Sequence, residues 1–319
     1  MDLVKRLSDG DKAATARAIT LVENNDPTSK KIMQEVFKLQ TKARIIGVTG
    51  PSGVGKSCLV DKLIEVYRKR GKSVGVLAVD PTSPFTGGAL LGDRIRMQKH
   101  SLDKGVFIRS MGSRGSLGGL SRAAKAALDI ISASGKEIVI VETVGIGQVE
   151  VDVVKYADTI LIVLVPELGD GVQALKAGVL EIGDIFVVNK SDHQGADKAM
   201  ATILESLTFS QSRAWKPTVV KTEATTGKGV RELTLAIDKH WEYLDSSRVR
   251  NRRKITRAQE EILDFLRDEF SDYLDEKVTS SALFKRLVKE IASRKIDART
   301  AAGKVFDRII AESGSSEVI

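Results

Sequence analysis

The chain has 319 residues, 42% of them hydrophobic and 29% charged, with a formal net charge of +8. Such a chain can build a core, and its positive charge favours anionic partners such as nucleotides, nucleic acid or CoA-type molecules without specifying a fold. The single cysteine, Cys58, excludes an intrachain disulfide framework; no apolar run nears the ~18 residues of a membrane span, and the start MDLVKRLSDGDKAA lacks the apolar stretch of a signal peptide, so a cytoplasmic protein is expected.

Residues 1–40 read as an N-terminal helical extension. Ala13, Ala14, Ala16, Ala18, Ile19, Leu21 and Val22 form one small-residue helix. Asp26-Pro27 predicts a cap with proline at the first helical position, and Ile32, Val36 and Leu39 recur at helical spacing behind it. Residues 41–245 change character. Short β-rich apolar runs appear at Ile45–Val48, Val74–Val79, Val106–Ile108, Ile138–Val141, Ile160–Val165, Ile185–Val188 and Thr218–Val220. Several are apolar on both faces and many are separated by helical segments. The expected fold class is therefore α/β, a mostly parallel sheet covered by helices on both sides, with ligands at the carboxyl ends of the strands. Residues 246–319 show no strand pattern. Ile255, Ala258, Ile262, Phe265, Leu266 and Tyr273 share one face of a long helix. Leu283, Leu287 and Ile291 suggest a second, and Val305, Phe306, Ile309 and Ile310 a third. These apolar faces exceed what a thin arm can hide against its own domain, which predicts a homodimer.

The run Gly50-Pro-Ser-Gly-Val-Gly-Lys-Ser57 fits G-x-x-x-x-G-K-[ST] and has the context that pattern needs, a strand before and a helix after. Gly50, Gly53 and Gly55 let the backbone curl so that N–H groups converge on phosphate oxygens, and the following helix adds its N-terminal dipole. The expected nucleotide-binding run is Gly53, Val54, Gly55, Lys56, Ser57 and Cys58, with the Cys58 side chain packing rather than reacting. Lys56 would reach the β- and γ-phosphates and Ser57 would offer its hydroxyl to Mg²⁺.

Asn189-Lys190-Ser191-Asp192 follows the strand Ile185–Val188 and has the form N-K-x-D. The Asp192 carboxylate can accept from guanine N1–H and its exocyclic amine. Adenine lacks that amine and presents an acceptor at N1, a mismatch worth on the order of 10⁴-fold in selectivity. Asn189 would brace the loop, the Lys190 stem would lie along the base, and Thr222, Glu223, Ala224 and Thr225 after the next strand would add backbone contacts. Asp80 and Glu142 each end a strand and are candidate Mg²⁺ partners. Gly145, in Glu-Thr-Val-Gly, would sense the γ-phosphate through its N–H. Asp93, in a Gly- and Pro-rich stretch, reads equally as a metal ligand, a helix cap or a solvent-facing carboxylate.

With these residues assembled, the chain resembles the methylmalonyl-CoA mutase-associated GTPases, metallochaperone-type P-loop GTPases that act as cobalamin chaperones and were formerly described as transport-system kinases. Beyond the nucleotide motifs, the resemblance rests on ARAITLVEN (16–24), AVDPTSPFTGGALLGDRIRM (78–97), FIRSMGSRGSLGGLSRA (107–123), VIVETVGIGQVEVDV (139–153) and VPELGDGVQALKAG (165–178). It implies a GTPase domain with an N-terminal helical extension and a C-terminal helical dimerisation arm. It also implies Asp80, Asp93 and Glu142 joining Ser57 around Mg²⁺; these three, with Lys56, Gly145 and Gln148, make up the candidate catalytic set. The implied partner is an adenosylcobalamin-dependent acyl-CoA mutase whose cofactor loading and protection are gated by GTP. Asp170 and Lys176 fall in the stretch matching the family's partner-sensing switch.

One departure bears on mechanism. A Ras-like GTPase has glutamine directly after the glycine of D-x-x-G. Here Ile146 takes that place, and Gln148 and Glu150 are the nearest candidates to orient water, so slow intrinsic hydrolysis is expected. Among rival readings, a nickel-delivering GTPase calls for clustered His or Cys, whereas His100, His193 and His240 are scattered. A nucleic-acid binder would use the basic run Arg248, Arg250, Arg252, Arg253 and Lys254, but four Tyr and two Trp leave little stacking equipment. A nucleotide-dependent scaffold with little turnover would share every binding residue.

Overall fold

A computed structural model describes residues 2–81, 98–100, 102–113, 119–143, 155–166, 180–208, 214–247 and 249–313. Three helices open the chain: α1 (Asp2–Ser8), α2 (Lys12–Glu23) and α3 (Ser29–Phe37). The Asp11 carboxylate caps α2 by accepting from the amides of Ala13 and Ala14. The expected start of α3 at Pro27 is corrected. Asp26 Oδ1 accepts from both the amide and the hydroxyl of Thr28, at 2.8 and 2.6 Å. This local turn occupies the cap, and the helix begins at Ser29.

The centre is a seven-stranded sheet in the order β3-β2-β4-β1-β5-β6-β7. Its strands are β1 (Arg44–Thr49), β2 (Val74–Pro81), β3 (Val106–Ser113), β4 (Ile138–Thr143), β5 (Thr159–Leu164), β6 (Ile185–Val188) and β7 (Thr218–Lys221). Every neighbouring pair is parallel. Parallel strands need crossovers, which the helices α4 (Lys56–Lys69), α5 (Gly119–Ala133), α6 (Ala196–Thr208) and α7 (Val230–Ser246) supply or flank. This is the P-loop NTPase type of α/β fold.

The two-residue period of the strands sorts the core into faces. Ile46, Val48, Val76, Ile140, Leu161, Val163 and Val187 pack with Leu59, Leu63 and Tyr67 of α4 and Leu233 and Ile237 of α7. On the other face, Leu77, Val79, Val139 and Val141 meet Ala124, Leu128 and Ile131 of α5, with Leu7, Ala18, Ile19, Ile32 and Val36 of the N-terminal helices. Farther along that sheet, Ile162, Leu164, Phe186 and Val188 pack on Ala196 and Ile203 of α6. The N-terminal extension thus completes a sheet face. An ion pair adds to that docking, Arg109 of β3 to Glu23 of α2 at 2.8 Å.

By compactness the chain divides into Met1–Arg250 and Asn251–Ile319. The helix α8 (Val249–Tyr273) leads into the second unit, where a π-helical turn Leu274–Val278 precedes α9 (Ala282–Ala292) and α10 (Ala298–Ser313). No helix among the described residues is long and apolar enough to cross a membrane.

Candidate functional site: a phosphate loop tied to a base-reading turn

The strand β1 sits at the centre of the sheet, between β4 and β5, so the chain leaving its carboxyl end emerges where the strand order switches sides. The loop from Gly50 to Gly55 fills that crevice. Gly50, Gly53 and Gly55 have φ values of 153°, 78° and 89°, a backbone that side chains resist. A Cβ on Gly50 would also collide with the Val163 carbonyl. The curl turns the loop back over the amino end of α4, where the free helix amides add positive potential. Lys56 is buried, and its ammonium donates to the carbonyls of Gly50 and Pro51 at 2.7 and 2.8 Å, so the cation lies across the loop. Cys58 is partly buried against the core, as expected of a packing side chain.

The register of β4 places Glu142 beside Val48. Its carboxylate is 1% exposed and accepts from the Ser57 hydroxyl at 2.7 Å. One position on, the hydroxyls of Thr143 and Thr49 meet at 3.0 Å and lock the two strand ends together. A hydroxyl and a carboxylate paired next to a phosphate loop are hard oxygen donors of the kind Mg²⁺ takes, so these residues fit that ion. Asp80 lies near the carboxyl end of β2, in register with Gly112. Asp93, Gly145, Gln148, Glu150, Asp170 and Lys176 lie outside the described residues.

Asn189 joins three segments. Its side-chain amide donates to the Val54 carbonyl in the phosphate loop at 2.7 Å. Its side-chain carbonyl accepts from the Thr222 hydroxyl at 3.0 Å and from the Ala224 amide at 3.1 Å. Both Asn189 and Thr222 are buried. The Ser191 amide adds a bond to the Thr222 carbonyl at 3.0 Å, so the N-K-S-D turn and the following T-E-A-T loop form one body. Lys190 holds φ at 55°, which turns the chain sharply after the strand, and Asp192 is half exposed with its carboxylate 3.7 Å from His193 Nε2. Glu223 pairs across the T-E-A-T loop with Lys228, Ala224 is buried and Thr225 is exposed.

Sequence reasoning placed Thr222 only in a run giving backbone contacts and did not single out Thr49 or Thr143; the side-chain roles of all three depend on partners in distant segments. It also missed a polar cluster on α4. Asp61, one turn beyond Ser57, accepts from His100 at 2.8 Å and pairs with Lys99 at 2.6 Å, and Lys99 also reaches Glu65 at 2.5 Å. The bonds to Asp61 and Glu65 raise the Lys99 pKa. Burial pushes the Glu65 carboxyl up, but Lys99 and Lys62 outweigh it and hold it below its usual range. Asp61, Glu65 and His100 have ligand atoms within 4.8 Å of one another. The Lys99 ammonium already takes the position between both carboxylates, so the cluster serves as an ion-pair clasp between α4 and residues 98–100.

Residues 15–279 match the family model for the methylmalonyl-CoA mutase-associated GTPase MeaB. The chain belongs to the MeaB family. It is 47% identical over 314 residues to a protein named as a GTPase in Pyrococcus horikoshii, covering 97% of this chain and 98% of that one. It is 34% identical over 320 residues to the mitochondrial methylmalonic aciduria type A homolog of Caenorhabditis elegans, covering 94% of this chain and 80% of that one. A crystal structure titled LAO/AO transport system kinase has the same fold, with a TM-score of 0.73 at 23% identity over 97% of this chain and 96% of that one. MeaB-family membership implies guanine-nucleotide binding.

Gly55→Ala tests the packing of these loops. The added Cβ meets the Asn189 side-chain amide at a φ of 89°. GDP affinity is expected to fall at least about tenfold, ~1.4 kcal/mol by calorimetry, with the thermal transition of the protein retained. Wild-type affinity in this variant would show that the Gly55–Asn189 contact is not needed for binding.

Proposed function

We propose that this protein binds and hydrolyses GTP with Mg²⁺, and that its nucleotide state gates adenosylcobalamin loading into, and protection of, an adenosylcobalamin-dependent acyl-CoA mutase. The observation that carries the nucleotide part is the Asn189 side chain bonded at once to the phosphate loop and to the loop beside the base-reading turn. The mutase part rests on the family description and on the likeness to the methylmalonic aciduria type A homolog.

The residues divide the work as follows. Backbone amides of Gly53–Cys58 cradle the phosphates, and Lys56 exchanges its carbonyl partners for β- and γ-phosphate oxygens. Ser57, Glu142, Asp80 and Asp93 hold the metal, which when bound neutralises charge building on the phosphates. Asp192 reads the guanine edge, Lys190 lies along the base, and Glu223, Ala224 and Thr225 close its rim. Gly145 follows the γ-phosphate and Gln148 orients water. With Ile146 in the usual glutamine position, the chain turns over slowly until its partner completes the site. Asp170 and Lys176 report nucleotide state to that partner.

The test is single-turnover GTP hydrolysis with and without the mutase, beside calorimetry of GTP against ATP. The mutase is expected to accelerate hydrolysis at least tenfold. Asp192→Ala is expected to remove most of the preference for GTP while leaving the phosphate loop able to bind. Equal rates with and without mutase remove the chaperone reading, and an unchanged preference in Asp192→Ala removes that residue from the base site.

A homodimer through the second unit belongs to the same proposal. Ile255, Ile262 and Leu266 of α8 are 62%, 61% and 60% exposed, far more than isolated apolar residues need be. The same unit holds an apolar groove of about 500 Å³ lined by Phe270, Leu274, Phe284, Leu287, Val305 and Phe306 among others. Light scattering is expected to give a dimer for the full chain. Ile262→Asp with Leu266→Asp should give a monomer whose GDP affinity stays within about threefold, ~0.7 kcal/mol. A full-length monomer at micromolar concentration contradicts the dimer.

A further inference from the structure

The amino ends of β2, β3 and β4 carry a second charged cluster, unrelated to the nucleotide motifs. Lys136 stands two residues before β4 and is only 7% exposed. Its stem packs on Gly75 of β2, where a Cβ would lie 3.4 Å from Lys136 Cγ. Among the described residues its ammonium makes no hydrogen bond or ion pair, and it lies at the end of a buried stem where solvent still reaches it. Two more cations stand near. Lys12 of α2 donates to the Asp103 main-chain carbonyl at 2.7 Å, which uses one of its three protons. Arg68 of α4 donates from Nε and Nη2 to the two Asp103 carboxylate oxygens at 2.8 and 2.9 Å, and from Nη1 to the Lys72 carbonyl at 2.7 Å.

The nearby carboxylates are spent. Asp103 also accepts from the Gly105 amide at 2.7 Å, and Glu137 is taken by Lys72 at 2.8 Å and the Ser73 amide at 3.1 Å. Among the described residues three cations therefore surround one engaged carboxylate, with N–H groups left over on Lys12 and all of those on Lys136. Burial, and then the charges of Lys12 and Arg68, push the Lys136 pKa down. That repulsion is relieved when an anion with several acceptor oxygens enters.

We propose that Lys136, Lys12 and Arg68 form a binding site for a phosphate-type oxyanion, distinct from the nucleotide site. Glu142 lies six residues along the chain from Lys136, at the other end of β4, which separates the two sites by about 20 Å. The ligand is either inorganic phosphate or a phosphate carried on an organic group, and the two share the charge and acceptor oxygens the cluster lacks.

The experiment titrates inorganic phosphate, followed by calorimetry, into the full chain already saturated with GDP and Mg²⁺, so that the phosphate loop is filled. Wild type is expected to bind with a saturable, salt-sensitive isotherm. Lys136→Met, which keeps an apolar stem of similar length and removes the cation, should weaken it at least about tenfold with GDP affinity unchanged. Lys12→Gln, at a less buried position, should weaken it several-fold, and Lys295→Gln in the second unit, losing the same charge, should leave it unchanged. Phenyl phosphate binding as well as inorganic phosphate assigns an organic phosphate to the site, whereas inorganic phosphate binding alone assigns the free ion. No saturable heat from wild type, or an isotherm unchanged in both Lys136→Met and Lys12→Gln, overturns the site.

Discussion

One buried carboxamide ties together the segments that carry this protein's nucleotide motifs. Asn189 presents a donor to Val54 and an acceptor to Thr222 and Ala224, partners that lie 135, 33 and 35 residues away along the chain. No other short side chain offers both functions in one plane: aspartate cannot donate, and leucine fills the space with neither. The bonds are buried, so each unmade partner costs about 1–3 kcal/mol rather than being replaced by water. The glycine loop and the loops after β6 and β7 are thereby held together before any ligand arrives, which on the proposed function lowers the ordering cost of binding.

The sheet explains why those loops can meet. Parallel pairing brings every strand's carboxyl end to one edge, and the central place of β1 puts the phosphate loop between Glu142 on β4 and Asn189 after β6. The hydroxyl pair Thr49–Thr143 and the bond Ser57–Glu142 fasten one side of the crevice, while Asn189 fastens the other. Lysine and glutamate groups at the opposite edge serve different ends. There Lys136, two residues before its strand, is buried along its stem.

Much of this was legible in the sequence because the physics is local. Runs such as Ile138–Val141 and Ile185–Val188 are apolar on both faces, which only a doubly covered strand tolerates. The glycines at 50, 53 and 55 announce a curled backbone, which their φ values of 153°, 78° and 89° bear out. Long-range pairing was not legible. Nothing around Thr222 says that its hydroxyl will meet Asn189, and nothing around Lys136 says that Lys12 and Arg68 will converge on it. The start of α3 was misplaced for the opposite reason: Asp26 bonds locally to Thr28, and a two-residue turn outcompeted the helix start that Pro27 suggested.

The central claim is that the Asn189 carboxamide couples the phosphate loop to the base-reading loops. It is tested most directly by Asn189→Ala, measuring GDP affinity by calorimetry and, in the same samples, GDP-dependent amide exchange protection in residues 50–57 and 222–225. The account predicts a fall in affinity of at least about 100-fold, ~2.7 kcal/mol, with GDP no longer protecting the two segments together. Affinity within threefold of wild type, ~0.7 kcal/mol, with both segments still protected, would contradict it.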